Sequence, residues 1–251
     1  VTVVLLMPAV PASAQAPVAL GGGSGLVVDG ETLCTLTAIG NDNQGRLIGF
    51  TSAHCGGPGA VVANHSSWLD ILTMNAAMPV FFVSKAEVRR WPGINILTAV
   101  TNTHFVVRDP KFARAQATEF AARIRAGHRL LFFPEGTSTD GRRVLAFKPT
   151  LFQGFLDPGL PADLAIQPMS VIYHAPEGAD PRFYGWWADM ALADHLLAVL
   201  SARRQGMAEV VLHQPVPVAG ETRKSLAAKT EAAVRGGVEQ GLVQNPPRRQ
   251  G

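Results

Sequence analysis

The stretch Lys111–Ser138, KFARAQATEFAARIRAGHRLLFFPEGTS, decides the fold class. Phe112, Gln116, Phe120 and Ile124 recur every four residues, the spacing of one helical face, so Lys111–Ala126 reads as a helix with Gly127 as its stop. Arg129–Phe133 follows as a buried strand and delivers a Pro134-Glu135-Gly136 turn. A helix running directly into an apolar strand is part of a layered α/β unit. The alternation continues outward in both directions. Pro79–Val83, His104–Val107, Ala165–Tyr173 and Glu209–His213 read as strands. Asp189–Arg204 reads as an amphipathic helix with Met190, Ala193, Leu197 and Leu200 on one face, and Thr222–Val238 as a weaker helix carrying Gly236 and Gly237. The expectation for 61–243 is an α/β fold, a central mixed sheet with flanking helices, followed by a disordered tail at 244–251.

Composition excludes several classes. With 47% hydrophobic and 16% charged residues in 251, the chain has ample apolar surface to bury and is not disordered. Its 25 Gly and 18 Pro punctuate it too often for a coiled coil. No uninterrupted apolar run reaches the ~18 residues of a membrane span, which excludes a polytopic membrane protein. Two Cys are too few for a disulfide-stapled scaffold. A net charge of +3 permits an anionic partner such as a phosphate-bearing ligand or a lipid headgroup. The dense Lys/Arg stripe that nucleic acid demands is missing.

The first sixty residues differ in character. They hold four charged residues (Asp29, Glu31, Asp42 and Arg46), yet 11 of the 25 Gly and both Cys, which argues for a separate segment. Residues 1–16, VTVVLLMPAVPASAQA, have an apolar core followed by Ala12, Ala14 and Ala16 in the spacing of a signal-peptide cleavage region; an apolar strand or surface helix is the other reading. Leu33–Ile39 and Leu47–Thr51 flank the turn-rich Asn41–Gly45, a hairpin signal. Thr51-Ser52-Ala53-His54-Cys55 resembles the surroundings of the catalytic His in secreted trypsin-like serine proteases. That resemblance implies a disulfide between Cys34 and Cys55. It stops there, because no Gly-Asp-Ser-Gly occurs in the chain and a His with no Ser to deprotonate performs no acyl chemistry. Residues 17–60 therefore read as a truncated protease-like fragment.

Two motifs in the remainder carry chemistry. Asn64-His65-Ser66-Ser67-Trp68-Leu69-Asp70 places a His and an Asp five apart, about 500° on a helix and so not on one face. They meet if His65 lies in the loop before a helix and Asp70 in its first turn, with Ser66 or Ser67 as cap. The carboxylate then holds one imidazole tautomer and leaves the other nitrogen to accept a hydroxyl proton. Ser67-x-x-Asp70 is equally a plain capping box. The second motif is Leu131–Ser138, where Gly136 allows close backbone approach and successive amides form an anion-binding nest, or else simply end a strand.

Together, in this order and about 70 residues apart, the motifs resemble the Asn-His-x4-Asp and Phe-Pro-Glu-Gly-Thr blocks of the glycerolipid acyltransferase family. Phe105-Val106-Val107-Arg108 is similar to the family's intermediate block, although Asn102 stands where that block begins with Gly. Ile166-Gln167-Pro168-Met169 is similar to its fourth. The resemblance implies acyl transfer from acyl-CoA or acyl-carrier protein to a lysolipid hydroxyl, with no metal or organic cofactor. It makes His65 the general base and Asp70 its orienting partner. Asn64, Arg108, Glu135, Gly136 and Thr137 position the acceptor or support the site.

In enzymes of the family that act on phosphate-bearing acceptors, the third block continues with Arg; here Ser138 stands there, with Arg142, Arg143 and Lys148 following. Either these cations supply the anion contact, or the acceptor lacks a glycerol phosphate. Arg182–Met190 resembles a variant of the family's lyso-ornithine-lipid acyltransferases, so lysophosphatidic acid and lyso-ornithine lipid are both candidate acceptors. Lys85, Arg89, Arg90 and Trp91 suit a membrane surface, or a solvated helix end. The family works peripherally at the cytoplasmic face of the membrane, and an export signal conflicts with that. A border near Gly59–Val62 would leave only the end of the strand leading to His65 and expose a sheet edge. The rival classes are a catalytically impaired lipid-binding fusion and, last, a protease.

Overall fold

The computed structural model describes residues 3–6, 25–28, 32–41, 47–51, 59–86, 103–106 and 113–244. Two sheets are present among them. The smaller holds β2 (Gly25–Val28), β3 (Thr32–Asn41) and β4 (Leu47–Thr51) in an antiparallel meander. The hairpin expected around Asn41–Gly45 is β3 and β4, with a bulge between Leu36 and Ala38.

The larger sheet is the frame of the site. Its strands in chain order are β1 (Val3–Leu6), β5 (Gly59–Ala63), β6 (Phe81–Lys85), β7 (His104–Val106), β8 (Arg129–Phe132), β9 (Ala165–His174), β10 (Met207–Leu212) and β11 (Val216–Pro217). In space the order is β1-β10-β9-β5-β8-β6-β7, with β11 also on β9. The run from β9 to β7 is parallel, β10 is antiparallel to β9, and β1 lies parallel on β10. The apolar start of the chain thus supplies a strand through Val3–Leu6.

The strand leading to His65 lies inside the sheet. β5 is central, flanked by β8 and β9, and all five of its residues are buried. Both faces are covered, as parallel strands require. Ala60 and Val62 face one layer with Leu130, Phe132 and Ile166. Val61 and Ala63 face the other with Leu131, Met169 and Val171.

The first layer is closed by α2 (Ala113–Arg125), the 3-10 helix Pro149–Leu156 and α4 (Arg223–Gln244), which bring Ile124, Phe152, Phe155, Leu226 and Val234 to the sheet. Phe132 stacks on Phe155 and meets Phe152 edge-on, with ring centroids 5.3 and 5.4 Å apart. The second layer is α1 (Leu69–Ala77) and α3 (Leu192–Ser201), contributing Met74 and Val199. α4 runs through Gly236 and Gly237, and the second lies on its packed side: a Cβ on Gly237 would stand 2.5 Å from the Ser170 hydroxyl.

α3 corrects an expectation. The helix turns His195 and Val199 inward, and leaves Leu197 and Leu200 each 69% exposed and Met190 36% exposed. The amphipathic reading assumed that the more apolar side faces the core, but this helix is apolar on both sides. No helix among the described residues is long and apolar enough to cross a membrane.

Asn64 extends the β5–β9 ladder beyond its last backbone pair. Its side-chain amide donates to the Val171 carbonyl and accepts from the Val171 N–H, each at 2.8 Å. Asn64→Ala leaves two buried backbone groups without partners, and is expected to lower stability by about 2–6 kcal/mol in urea denaturation, at about 1–3 for each group. A loss below about 1 kcal/mol would show the ladder indifferent to that bridge.

Candidate active site

β5 ends at Ala63, and the chain turns through 64–68 into α1. His65 lies in this loop and Asp70 in the first helical turn, which is how two residues five apart come together. Nδ1 of His65 is 2.7 Å from Oδ2 of Asp70. The same carboxylate oxygen accepts the N–H groups of Ser66 at 2.8 Å and Ser67 at 3.0 Å. The other oxygen accepts the Tyr173 hydroxyl of β9, also at 2.8 Å. Asp70 is fully buried, so its charge is held by these donors rather than by water.

Neither Ser66 nor Ser67 caps the helix with its side chain. Trp68 is the N-cap and makes no such bond, and the Ser67 hydroxyl is buried without a partner. The expected capping box is half formed: Asp70 caps Ser67, and Ser67 does not reciprocate.

A carboxylate facing Nδ1 fixes the proton there, which leaves Nε2 as the basic nitrogen. The His65 side chain is 23% exposed, and its ring stacks on Phe133 with centroids 4.0 Å apart and planes 13° apart. Burial and the Asp70 charge push the Tyr173 phenol well above its usual pKa, so it remains an O–H donor.

The second motif arrives from the C-terminal end of β8, adjacent to β5. Glu135 is buried and spans two segments: Oε1 accepts the His65 N–H at 2.8 Å and Oε2 the Leu145 N–H at 2.7 Å. Desolvation lifts its pKa from 4.5 to about 7, against the downward pull of those two N–H groups. Thr139 holds the same loop, its N–H donating to the His65 carbonyl at 2.9 Å. The Thr139 hydroxyl donates to the Arg143 carbonyl and accepts the Gly141 N–H. The Trp186 N–H donates to the Ser66 carbonyl at 2.8 Å, and this ties in the 182–190 segment.

The other expected site residues divide. Gly136 has φ +74°, and its N–H donates to the Phe133 carbonyl at 3.0 Å. That amide therefore closes a turn, and the anion nest expected there is not formed with it. The open side of Gly136 faces Lys148, whose Nζ would lie 2.6 Å from an added Cβ. Thr137, Arg142, Arg143 and Lys148 are exposed, with Arg143 Nε 3.9 Å from Asp140. Asn64 is committed to Val171. Cys34 lies in β3, while Arg108, Cys55, His54, Arg89, Arg90 and Trp91 lie outside the described residues.

Sequence reasoning missed Thr139 and Tyr173, and His195 is a packed ring. Nε1–H of Trp68 donates to Nδ1 of His195 at 2.9 Å, and Nε2 of His195 is 3.2 Å from the Phe183 carbonyl, so this His joins α1 to α3 as a neutral ring. Burial lowers its pKa accordingly. Ser170 and His213 also pair, at 2.7 Å. Ser170 gives its proton to the Val234 carbonyl, so that pair is structural.

The chain matches the family model described as Acyltransferase over residues 40–172. It is 58% identical over 183 residues to a lyso-ornithine lipid O-acyltransferase of Rhodobacter capsulatus, a match covering 72% of this chain and 66% of that protein. It is 36% identical to a protein of the same name from Brucella abortus, with 79% of each chain covered. It is 28% identical to a 1-acyl-sn-glycerol-3-phosphate acyltransferase of Neisseria gonorrhoeae, covering 70% of this chain and 67% of that one. The chain thus spans about two thirds of the length of the first of these relatives.

Glu135 yields a pH prediction. A carboxyl with a native pKa above its unfolded one gives stability that is present below about 4.5 and lost as the pH rises through about 7. Glu135→Gln does not titrate. The stability of the wild type relative to this variant should therefore fall between pH 4.5 and 7 by at most about 3 kcal/mol, and then level off. A difference that stays flat from acid to neutral pH would contradict the assignment.

Proposed function

The chain belongs to the acyltransferase family, and on that premise we propose that it moves a fatty acyl group from a thioester, acyl-CoA or acyl-carrier protein, to the hydroxyl of a lysolipid. One observation carries the reading: the 2.7 Å contact between His65 and a buried, fully hydrogen-bonded Asp70 at the C-terminal end of the central strand. In open α/β sheets the crevice beyond the strand ends is where ligands bind.

In the proposed step Nε2 of His65 takes the acceptor's hydroxyl proton as its oxygen attacks the thioester carbonyl. Asp70 stabilises the imidazolium that forms. The tetrahedral intermediate collapses, the carbon–sulfur bond breaks, and the departing thiolate recovers the proton from Nε2. An ester and a thiol result, with no covalent acyl-enzyme. No metal or organic cofactor enters this chemistry.

Lyso-ornithine lipid is the acceptor we place first, with lysophosphatidic acid second. The support is the Ser138 position, the Arg182–Met190 stretch, and the names of the relatives at 58% and 36% identity. Each acceptor carries an anion, and Lys148 is a cation beside the Gly136 turn. The protein acts peripherally at the cytoplasmic face of a bacterial membrane.

Purified protein is tested with both donors and both acceptors. His65→Ala is expected to lower turnover by about 10²–10⁴-fold, the usual worth of a general base. In Asp70→Asn the amide oxygen can keep the three N–H donors while the NH₂ faces Tyr173, so the fold survives and only the charge is lost. Activity should fall at least about tenfold on the same grounds. Lys148→Ala should raise KM for the acceptor more than it lowers kcat. Full activity in His65→Ala would end the proposal, and product from lysophosphatidic acid alone would reverse the order of acceptors.

A further inference from the structure

The two layers that cover the large sheet differ in their outer surfaces. On one side, α2 carries four charged residues in thirteen and α4 carries six in twenty-two. On the other, α1 and α3 carry one each, Asp70 and Asp194, and Asp70 is buried. Neither α1 nor α3 contains a Lys or an Arg. A helix on a water-facing surface normally sorts its residues into an apolar inner and a polar outer side. Here the outer sides expose Leu72 (45%) on α1, and Leu197 and Leu200 (69% each) on α3. Met190 is exposed just before α3, and Arg203 and Arg204 are exposed just beyond it. The two helices form one layer: Trp68 and His195 join them by a hydrogen bond, and both pack on the same sheet face.

We propose that the outer side of the α1–α3 layer docks on the surface of a lipid bilayer, which places His65, at the head of α1, at the lipid boundary. The inference rests on the lysolipid reading above, since an acceptor with long acyl chains resides in a bilayer. Apolar side chains flanked by Arg are what an interface with anionic headgroups selects: the Leu side chains enter the acyl boundary, and the Arg pair meets phosphate. A second copy seated on this layer would close the approach to His65 along α1, whereas a bilayer delivers the acceptor there. Asp194 is the single exposed carboxylate on either helix and Asp189 is exposed just before α3; both lie toward the start of α3, while Arg203 and Arg204 stand beyond its opposite end, where they can meet anionic headgroups.

The test uses the whole chain with vesicles of mixed phosphatidylcholine and phosphatidylglycerol, and reads co-sedimentation. Leu197→Glu/Leu200→Glu should weaken binding at least about tenfold, given the apolar area withheld from lipid, with thermal unfolding unchanged because both side chains are exposed. Arg223→Gln/Lys224→Gln removes the same two units of charge from exposed positions on α4, and should leave binding within about twofold. Arg203→Gln/Arg204→Gln should weaken binding to the mixed vesicles and not to pure phosphatidylcholine. His65→Ala should bind as the wild type does, so this readout stands even if acyl transfer fails.

Three results would overturn the proposal. One is a wild type that fails to sediment with vesicles of either composition. Another is undiminished binding by Leu197→Glu/Leu200→Glu. The third is a wild-type dimer in sedimentation velocity that this variant dissociates while vesicle binding is unaffected, which would assign the face to a second copy.

Discussion

A carboxylate with no access to water is the constraint around which the site is built. Asp70 compensates its burial with four donors: one imidazole, two loop amides and one phenol. The two amides belong to the residues that follow His65, so satisfying the charge also bends the chain from β5 into α1. Tyr173 arrives from β9, and its hydroxyl reaches Asp70 only because β9 pairs with β5 in the register that sets Ala63 opposite Met169. The sheet register, the helix start and the orientation of the imidazole are therefore one arrangement. Removing any donor exposes a buried charge to a less polar surrounding, which costs far more than the bond itself appears worth.

The Pro-Glu-Gly turn has a role in this arrangement that its motif alone conceals. Glu135 accepts the His65 amide, and Thr139 donates to the His65 carbonyl, so both polar groups of the His65 main chain are held by the segment that follows β8. The two motifs belong together for mechanical reasons as well as chemical ones: one carries the base, and the other fixes the backbone from which the base projects. Glu135 pays for this by desolvation, which raises its pKa to about 7.

Much of this was legible in the sequence. The four-residue recurrence before Gly127 and the apolar run after it gave α2 and β8 to within two residues. The His-x4-Asp spacing, read as loop followed by first turn, matches the observed placement. Tyr173 and Thr139 were not legible, because their partners are 103 and 74 residues away and neither lies in a motif. Asn64 was read toward substrate from its place beside His65, whereas its amide completes a backbone ladder, a use that depends on a strand far along the chain. At Gly136 two readings stood open, and the amide follows the plainer one, being spent within the strand-ending turn. The face of α3 was inverted because periodicity assumes water outside the helix.

That last failure is informative about the molecule. Periodic patterns work when one side of a helix meets a core and the other meets water. α2 satisfies that assumption where its side chains are described, since Phe120 and Ile124 point inward as read. α3 does not: its buried residues include a His, and its exposed ones include two Leu. The inner side tolerates His195 because Trp68 and the Phe183 carbonyl satisfy both ring nitrogens. The outer side has no such internal reason to be apolar. A rule that succeeds on one layer of a sheet and fails on the other thus marks the two layers as facing different surroundings, and the layer where it fails is the one that carries Asp70 and begins just after His65.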